Sequence, residues 1–188
     1  MKFTYYGYGF RLLSNYPLRG LSDKEYKLEL DLIDIDINVV IDGKFQTGNI
    51  YSLQQNNDSF CLDLNSALYD IGKNAINVVA KHDELFYSTF YNIPLSILLV
   101  LHGRILLHSS AFVRNGELCP ICASKGVGKS TLITYACRRG DKFFCDDTLP
   151  LILIKEKIFA VEGADFVKLN SDSCKQLMIS NFDSLKKT

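Results

Sequence analysis

Ala123-Ser124-Lys125-Gly126-Val127-Gly128-Lys129-Ser130 is the stretch whose reading decides the fold. A Gly-rich turn between a strand and a helix points successive backbone N–H groups inward. The helix N-terminus adds partial positive charge, so an anion of phosphate size is held there. In this pattern Lys129 reaches the outer phosphates and Ser130 turns its hydroxyl to Mg²⁺. Residues Ser124, Lys125, Gly126, Val127, Gly128, Lys129, Ser130 and Thr131 are the expected nucleotide contacts. Ala123 stands where the G-x-x-x-x-G-K-[ST] pattern has its first glycine, and alanine suits that place only if the residue keeps an ordinary φ.

The flanks supply the context such a loop requires. Residues 118–122 are a short apolar run suited to a buried strand, and residues 129–139 carry Leu132, Ile133, Ala136 and Cys137 at helical spacing. Gly140 falls where a helix C-cap belongs. Residues 143–145 then predict a second buried strand, which ends at Asp146-Asp147. Carboxylates at the carboxyl end of a strand beside the phosphate loop lie where an open α/β sheet binds ligands. Phosphoryl transfer needs the γ-phosphate held, its charge neutralised and an acceptor hydroxyl oriented, and these residue types meet those needs.

The acidic pair follows the loop on the very next strand, and Leu106-Leu107-His108-Ser109-Ser110 precedes it. With Arg139-Gly140 included, this pattern resembles the catalytic domain of HPr kinase/phosphorylase, whose P-loop core is shared with phosphoenolpyruvate carboxykinase. It is more similar still to the HPr-kinase-related proteins of peptide-maturation systems, including lasso-peptide kinases. Tyr8-Gly9-Phe10, Ser14 and Pro17-Leu18 also look like the start of that subgroup. The likeness covers most of the chain and is strongest over residues 104–150. It implies an ATP- and Mg²⁺-dependent serine kinase acting on a ribosomally made peptide or small protein. It further implies Asp146 as catalytic base, Asp147 with Ser130 on the metal side, and His108 beside the acidic pair. Relatives run on past the position equivalent to Thr188. The chain is therefore expected to be a truncated product, to be completed by a second chain, or to bind nucleotide without efficient transfer. A nucleotide-binding accessory subunit and a small-molecule kinase are the alternative functions, and a homo-oligomer is compatible with each.

Composition sets the outer bounds. The 188 residues are 47% apolar and 22% charged, ordinary values for a globular protein. Lys+Arg and Asp+Glu balance at 21 each, so no bulk charge points to nucleic acid or to an anionic membrane. The N-terminal residues lack a signal-peptide core, and the longest apolar run, residues 93–101, is too short to span a bilayer. A cytoplasmic location is the expectation that follows.

The remaining candidates read as structural. Cys61, Cys119, Cys122, Cys137, Cys145 and Cys174 lack a paired metal pattern. Cys119 and Cys122, three apart in a strand, point to opposite faces and cannot readily share an ion. Asp31, Asp34 and Asp36 suit the solvated face of a strand. His82 and His102 have no motif context, and Arg138 and Arg139 complement a helix C-terminus.

The expected fold is α+β or mixed α/β. A β-rich module, residues 1–85, precedes a P-loop module, residues 86–188, with a mixed sheet and few helices. Residues 25–41 predict strand with a phase switch at Leu32-Ile33, Asp42-Gly43 predicts a tight hairpin, and residues 54–59 predict a polar loop. Asn92 and Pro94 predict a short helix ending at Gly103. Hairpins are expected through Asn115-Gly116, joining residues 105–113 to 117–122, and through residues 155–157.

Overall fold

Alternation is what makes strand β3 (Ile33–Ile41): Ile35, Ile37 and Val39 are buried, whereas Ile33, Asp34, Asn38 and Val40 are exposed. The computed structural model describes residues 2–25, 32–47, 51–56, 58–124, 126–167, 169 and 177. The phase switch expected at Leu32-Ile33, with Asp31 and the rest of residues 26–31, falls partly outside them, as do Lys125 and Cys174.

The first compact unit is residues 1–105. Its strands are β1 (Phe3–Gly7), β2 (Phe10–Ser14), β3, β4 (Ser52–Asn56), β5 (Ser59–Asp63), β6 (Ala67–Gly72) and β7 (Ala75–Ala80), followed by helices α1 (Asp83–Phe90) and α2 (Ile93–Leu101). They form a seven-stranded sheet in the order β1-β2-β3-β7-β6-β5-β4, with β2, β3 and β7 parallel and the other pairs antiparallel. Ile37 pairs with Ile76 and Ile76 with Ile71, so one apolar row crosses the sheet. The helices add Phe86, Phe90, Leu95 and Leu98 to this core, and each such fully buried side chain contributes about 1.5–3 kcal/mol.

The opposite face is polar. Arg11 grips Asp34 through two guanidinium nitrogens, which holds that carboxyl below its usual range, and Asn38 bonds Asn77. Asp34 and Asp36 therefore lie on a solvated strand face, as expected.

Three expectations change in this unit. Asp42-Gly43 opens a β-turn, closed by Phe45 N–H on Asp42 O, and joins no adjacent strands, because β3 is flanked by parallel partners. Residues 54–56 and 59, expected in a polar loop, are strand: β4 and β5 pair antiparallel, Asn56 against Ser59, since backbone pairing overrides polar composition. The division falls after Ile105 instead of 85/86, because α1 and α2 pack on β7 and β6 and belong to the first unit.

His82 caps α1, accepting from Leu85 N–H at its Nδ1, and His102 ends α2 with its Nε2 against Lys73 O. Both are structural, as expected. Among the described residues no single helix is long and apolar enough to cross a membrane. The bent pair α1 and α2 reaches that length only together, with its axes 43° apart.

The second unit is residues 106–188. β8 (Ile105–Leu107), β9 (Ser109–Arg114), β10 (Glu117–Cys122), α3 (Lys129–Arg138), β11 (Lys142–Cys145), β12 (Leu149–Ile154) and β13 (Lys157–Ala160) follow in order. They make two three-stranded sheets, β10-β9-β11 and β13-β12-β8. Phe112 on β9 packs with Ile133 and Ala136 of α3, while Ala111, of opposite parity, packs with Cys145 and Leu149. β9 is thus covered on both faces.

The expected turns form. Asn115 and Gly116 take φ of 54° and 84°, and Lys155 and Glu156 take 46° and 66°, the left-handed values that two-residue hairpins need. The expected strand over 105–113 is broken at His108, however, and its two pieces join different sheets. β10 is an edge strand and only partly buried, which suits Pro120, a residue with no N–H to donate. The cysteines among the described residues are free. Cys145 is a core thiol pushed up to about 12 by burial, whereas Cys122 is exposed.

Candidate active site

β10 and β11 both run antiparallel to β9, so they run parallel to each other on either side of it. The carboxyl ends of β10 and β11 and the amino end of β9 therefore lie at one edge. This places residues 123–124 and 126–128, the pair Asp146-Asp147 and His108-Ser109-Ser110 together. The connection from β10 through α3 to β11 skips one strand, and that is how the loop and the carboxylates come to flank β9.

The loop has the backbone its glycines predict. Gly126 and Gly128 take φ of 88° and 98°, the left-handed region, while Ala123 keeps an ordinary φ. The missing first glycine is thus tolerated by the backbone. Gly128 is the N-cap of α3 and makes no side-chain cap bond. The first-turn N–H groups of a helix capped in this way have no side-chain acceptor from that residue.

Lys129 folds back over the loop. Its Nζ donates to Ala123 O at 2.8 Å and to Ser124 O at 3.3 Å. It also lies 3.1 Å from His108 Nε2. An ammonium has no acceptor lone pair, so His108 Nε2 must accept and the ring hydrogen sits on Nδ1. Nδ1 is 3.0 Å from Asp147 O and 3.3 Å from Asp147 Oδ1. Lys129, His108 and Asp147 form one connected chain.

Asp146 is held differently. Its Oδ1 accepts from Ser110 Oγ at 2.6 Å and from Ser130 Oγ at 2.9 Å. Hydrogen bonds to a charged group contribute about 1.5–3 kcal/mol each. Ser130, the first-turn residue of α3, therefore meets Asp146, not the Asp147 with which the resemblance groups it. Its own backbone carbonyl accepts Thr134 Oγ1.

Asp147 has φ of 71°, and Thr148 N–H bonds Asp146 O at 2.9 Å across it. This is a γ-turn with positive φ at a non-glycine centre, a rare and strained arrangement. Strain of this kind is typically about 1–3 kcal/mol and concentrates at functional sites.

Ser130 and Asp146 offer only oxygen donors, a set that suits Mg²⁺ completed by phosphate oxygens and water. Among the described residues no group of three or more His, Cys, Asp or Glu is gathered as an all-protein metal cage. Ser124, Gly126, Val127, Gly128 and Thr131 line the loop and the first turn of α3, and Val127 is exposed at the loop's tip. The site residue that sequence reasoning left without a role is Ser110. Its signal was a hydroxyl buried in an apolar strand, which must find a partner.

No family model, no curated protein and no solved structure matches the chain.

Proposed function

We propose that the chain binds ATP with Mg²⁺ and transfers the γ-phosphoryl group to a serine hydroxyl of a ribosomally made peptide or small protein, in the manner of the HPr-kinase-like proteins its motifs resemble. The observation that carries this reading is the convergence of Lys129, Ser130, His108, Asp146 and Asp147 at one edge of the β10-β9-β11 sheet.

The loop amides and the α3 N-terminus hold the phosphates, and Lys129 lies within reach of the outer ones. Bound Mg²⁺ supplies charge neutralisation on the transferring group. Ser130 and Asp146 would hold it, because their oxygens already lie together. Asp147 is the better base. Its side chain is half exposed, at 50%, with Oδ1 3.3 Å from His108 Nδ1, while that ring nitrogen bonds the Asp147 backbone carbonyl. The acceptor hydroxyl gives its proton to Asp147 as its oxygen bonds to phosphorus, and ADP leaves. This division reverses the assignment that the resemblance implies for the two aspartates.

Calorimetric titration with Mg·ATP, followed by mass spectrometry of a co-encoded serine-bearing peptide, tests the reading. ATP should bind, and Lys129→Ala should weaken binding by roughly 10- to 150-fold, the equivalent of losing bonds to a charged group. Unchanged affinity in that variant would remove the phosphate-loop assignment. Binding without phosphoserine under any condition would instead leave the accessory-subunit function.

A further inference from the structure

Ser109 and Ser110 are neighbours at the start of β9, and both are fully buried. Their hydroxyls do different things. Ser109 Oγ donates to backbone, to Ile121 O at 3.1 Å and Ser110 O at 3.3 Å. Ser110 Oγ donates to Asp146 Oδ1 at 2.6 Å, a shorter bond than the one from Ser130 Oγ to the same oxygen at 2.9 Å.

The second of those bonds comes from Ser130, whose hydroxyl lone pairs are the ones a loop of this type turns to a cation. A cation drawing on those lone pairs would pull on the Ser130 hydroxyl that holds Asp146. Ser110 sits on a strand covered on both faces and cannot follow. Its bond is fixed by the fold, so Asp146 keeps the Ser110 donor whatever Ser130 does. A carboxylate pinned by such an outer partner presents its remaining lone pairs in one orientation.

We propose that Ser110 is a positioning residue that aims Asp146 at Mg²⁺ and thereby sets the Mg²⁺ dependence of nucleotide binding. The proposal rests on the reading of residues 123–130 as a Mg·ATP loop.

The test is calorimetric ATP binding across a Mg²⁺ series, beginning in chelator, for the wild type, Ser110→Ala and Ser109→Ala. Ser110→Ala should raise the Mg²⁺ concentration for half-saturation by about 10- to 100-fold, the usual loss on removing an outer partner of a metal ligand. Its Mg²⁺-free ATP affinity should equal the wild type's, and Ser109→Ala should move neither quantity. A half-saturation point unchanged in Ser110→Ala, or moved equally by Ser109→Ala, overturns the proposal.

Should Ser110→Ala fail to fold, Ser110→Thr and Ser110→Val take its place. They add the same branch, so packing strain is common to both and only the hydroxyl differs. Thr should bind Mg²⁺ more tightly than Val, and equality overturns the proposal. A wild type that binds no ATP removes the loop reading and this inference together. A wild type that binds Mg·ATP with unaltered Ser110 variants removes this inference alone.

Discussion

At Asp147 the backbone and the side chain want different things. The positive φ of 71° under the γ-turn is strained for an aspartate, yet it sets the side chain against His108. Glycine would relieve that strain, gaining about 1–3 kcal/mol, against roughly 0.5–1 kcal/mol of added chain entropy. Asp147→Gly should therefore hold or raise the melting temperature while abolishing transfer of phosphate to peptide. Asp146→Asn should behave differently, weakening the Mg²⁺ dependence of ATP binding because Asp146 is the residue bonded to Ser130. A fall in melting temperature for Asp147→Gly would show that the turn is not strained. Mg²⁺ dependence lost in Asp147→Asn and kept in Asp146→Asn would restore the division that the resemblance implies. Which aspartate meets Ser130 was not legible in the sequence, because adjacent residues differ by a turn of backbone that no spacing rule encodes.

Among elements, those with their own local chemistry were the legible ones. α3 begins at a glycine and carries its apolar residues at helical spacing, and the Asn115-Gly116 turn forms because both positions tolerate positive φ. Elements fixed by distant pairing were hidden. Leu53-Gln54-Gln55-Asn56 has the composition of a loop and becomes an edge strand because β5 lies beside it. Residues 105–113 look like one strand, and only the assembled sheets show that they separate at His108 and free its ring for Lys129 and Asp147. The start of α3 offers a sharp check. Gly128 has φ of 98°, and a methyl group placed there meets nothing within 4 Å. Any loss in Gly128→Ala then comes from backbone alone, about 1–2 kcal/mol for a left-handed non-glycine residue. Chemical denaturation should read a loss of that size. A variant as stable as the wild type would mean that the loop relaxes freely, and that its phosphate cradle is not preformed.

Across the whole molecule, the seven-stranded sheet and the candidate site fall in different units, Ile37 in residues 1–105 and Lys129, Asp146 and Asp147 in residues 106–188, which have a core of their own. The β-rich character of the first unit was legible from the alternation of Ile35 and Ile37 with Asp34 and Asp36. Its extent was not, since α1 and α2 are helices in a β-rich unit and declare their allegiance only by burying Phe86, Phe90, Leu95 and Leu98 on its sheet. With Ile37 and the candidate site in separate units, the first unit's stability and the ligand response should be separable. Ile37 is fully buried beside Ile76, and truncation to alanine should destabilise by about 2–5 kcal/mol through lost contacts and the cavity left behind. Saturating Mg·ATP at a hundredfold excess over its dissociation constant should stabilise the unit that binds it by about 2.7 kcal/mol. Ile37→Ala should then unfold earlier than the wild type, yet retain full ATP affinity at temperatures where it remains folded. Lys129→Ala should show the reverse, with an unliganded melt like the wild type's and a much smaller shift on adding the same Mg·ATP. Calorimetric melts of both variants with and without nucleotide measure all four quantities. If Ile37→Ala lost ATP affinity while still folded, the phosphate site would depend on the first unit's core, and the assignment of the whole site to residues 106–188 would be wrong.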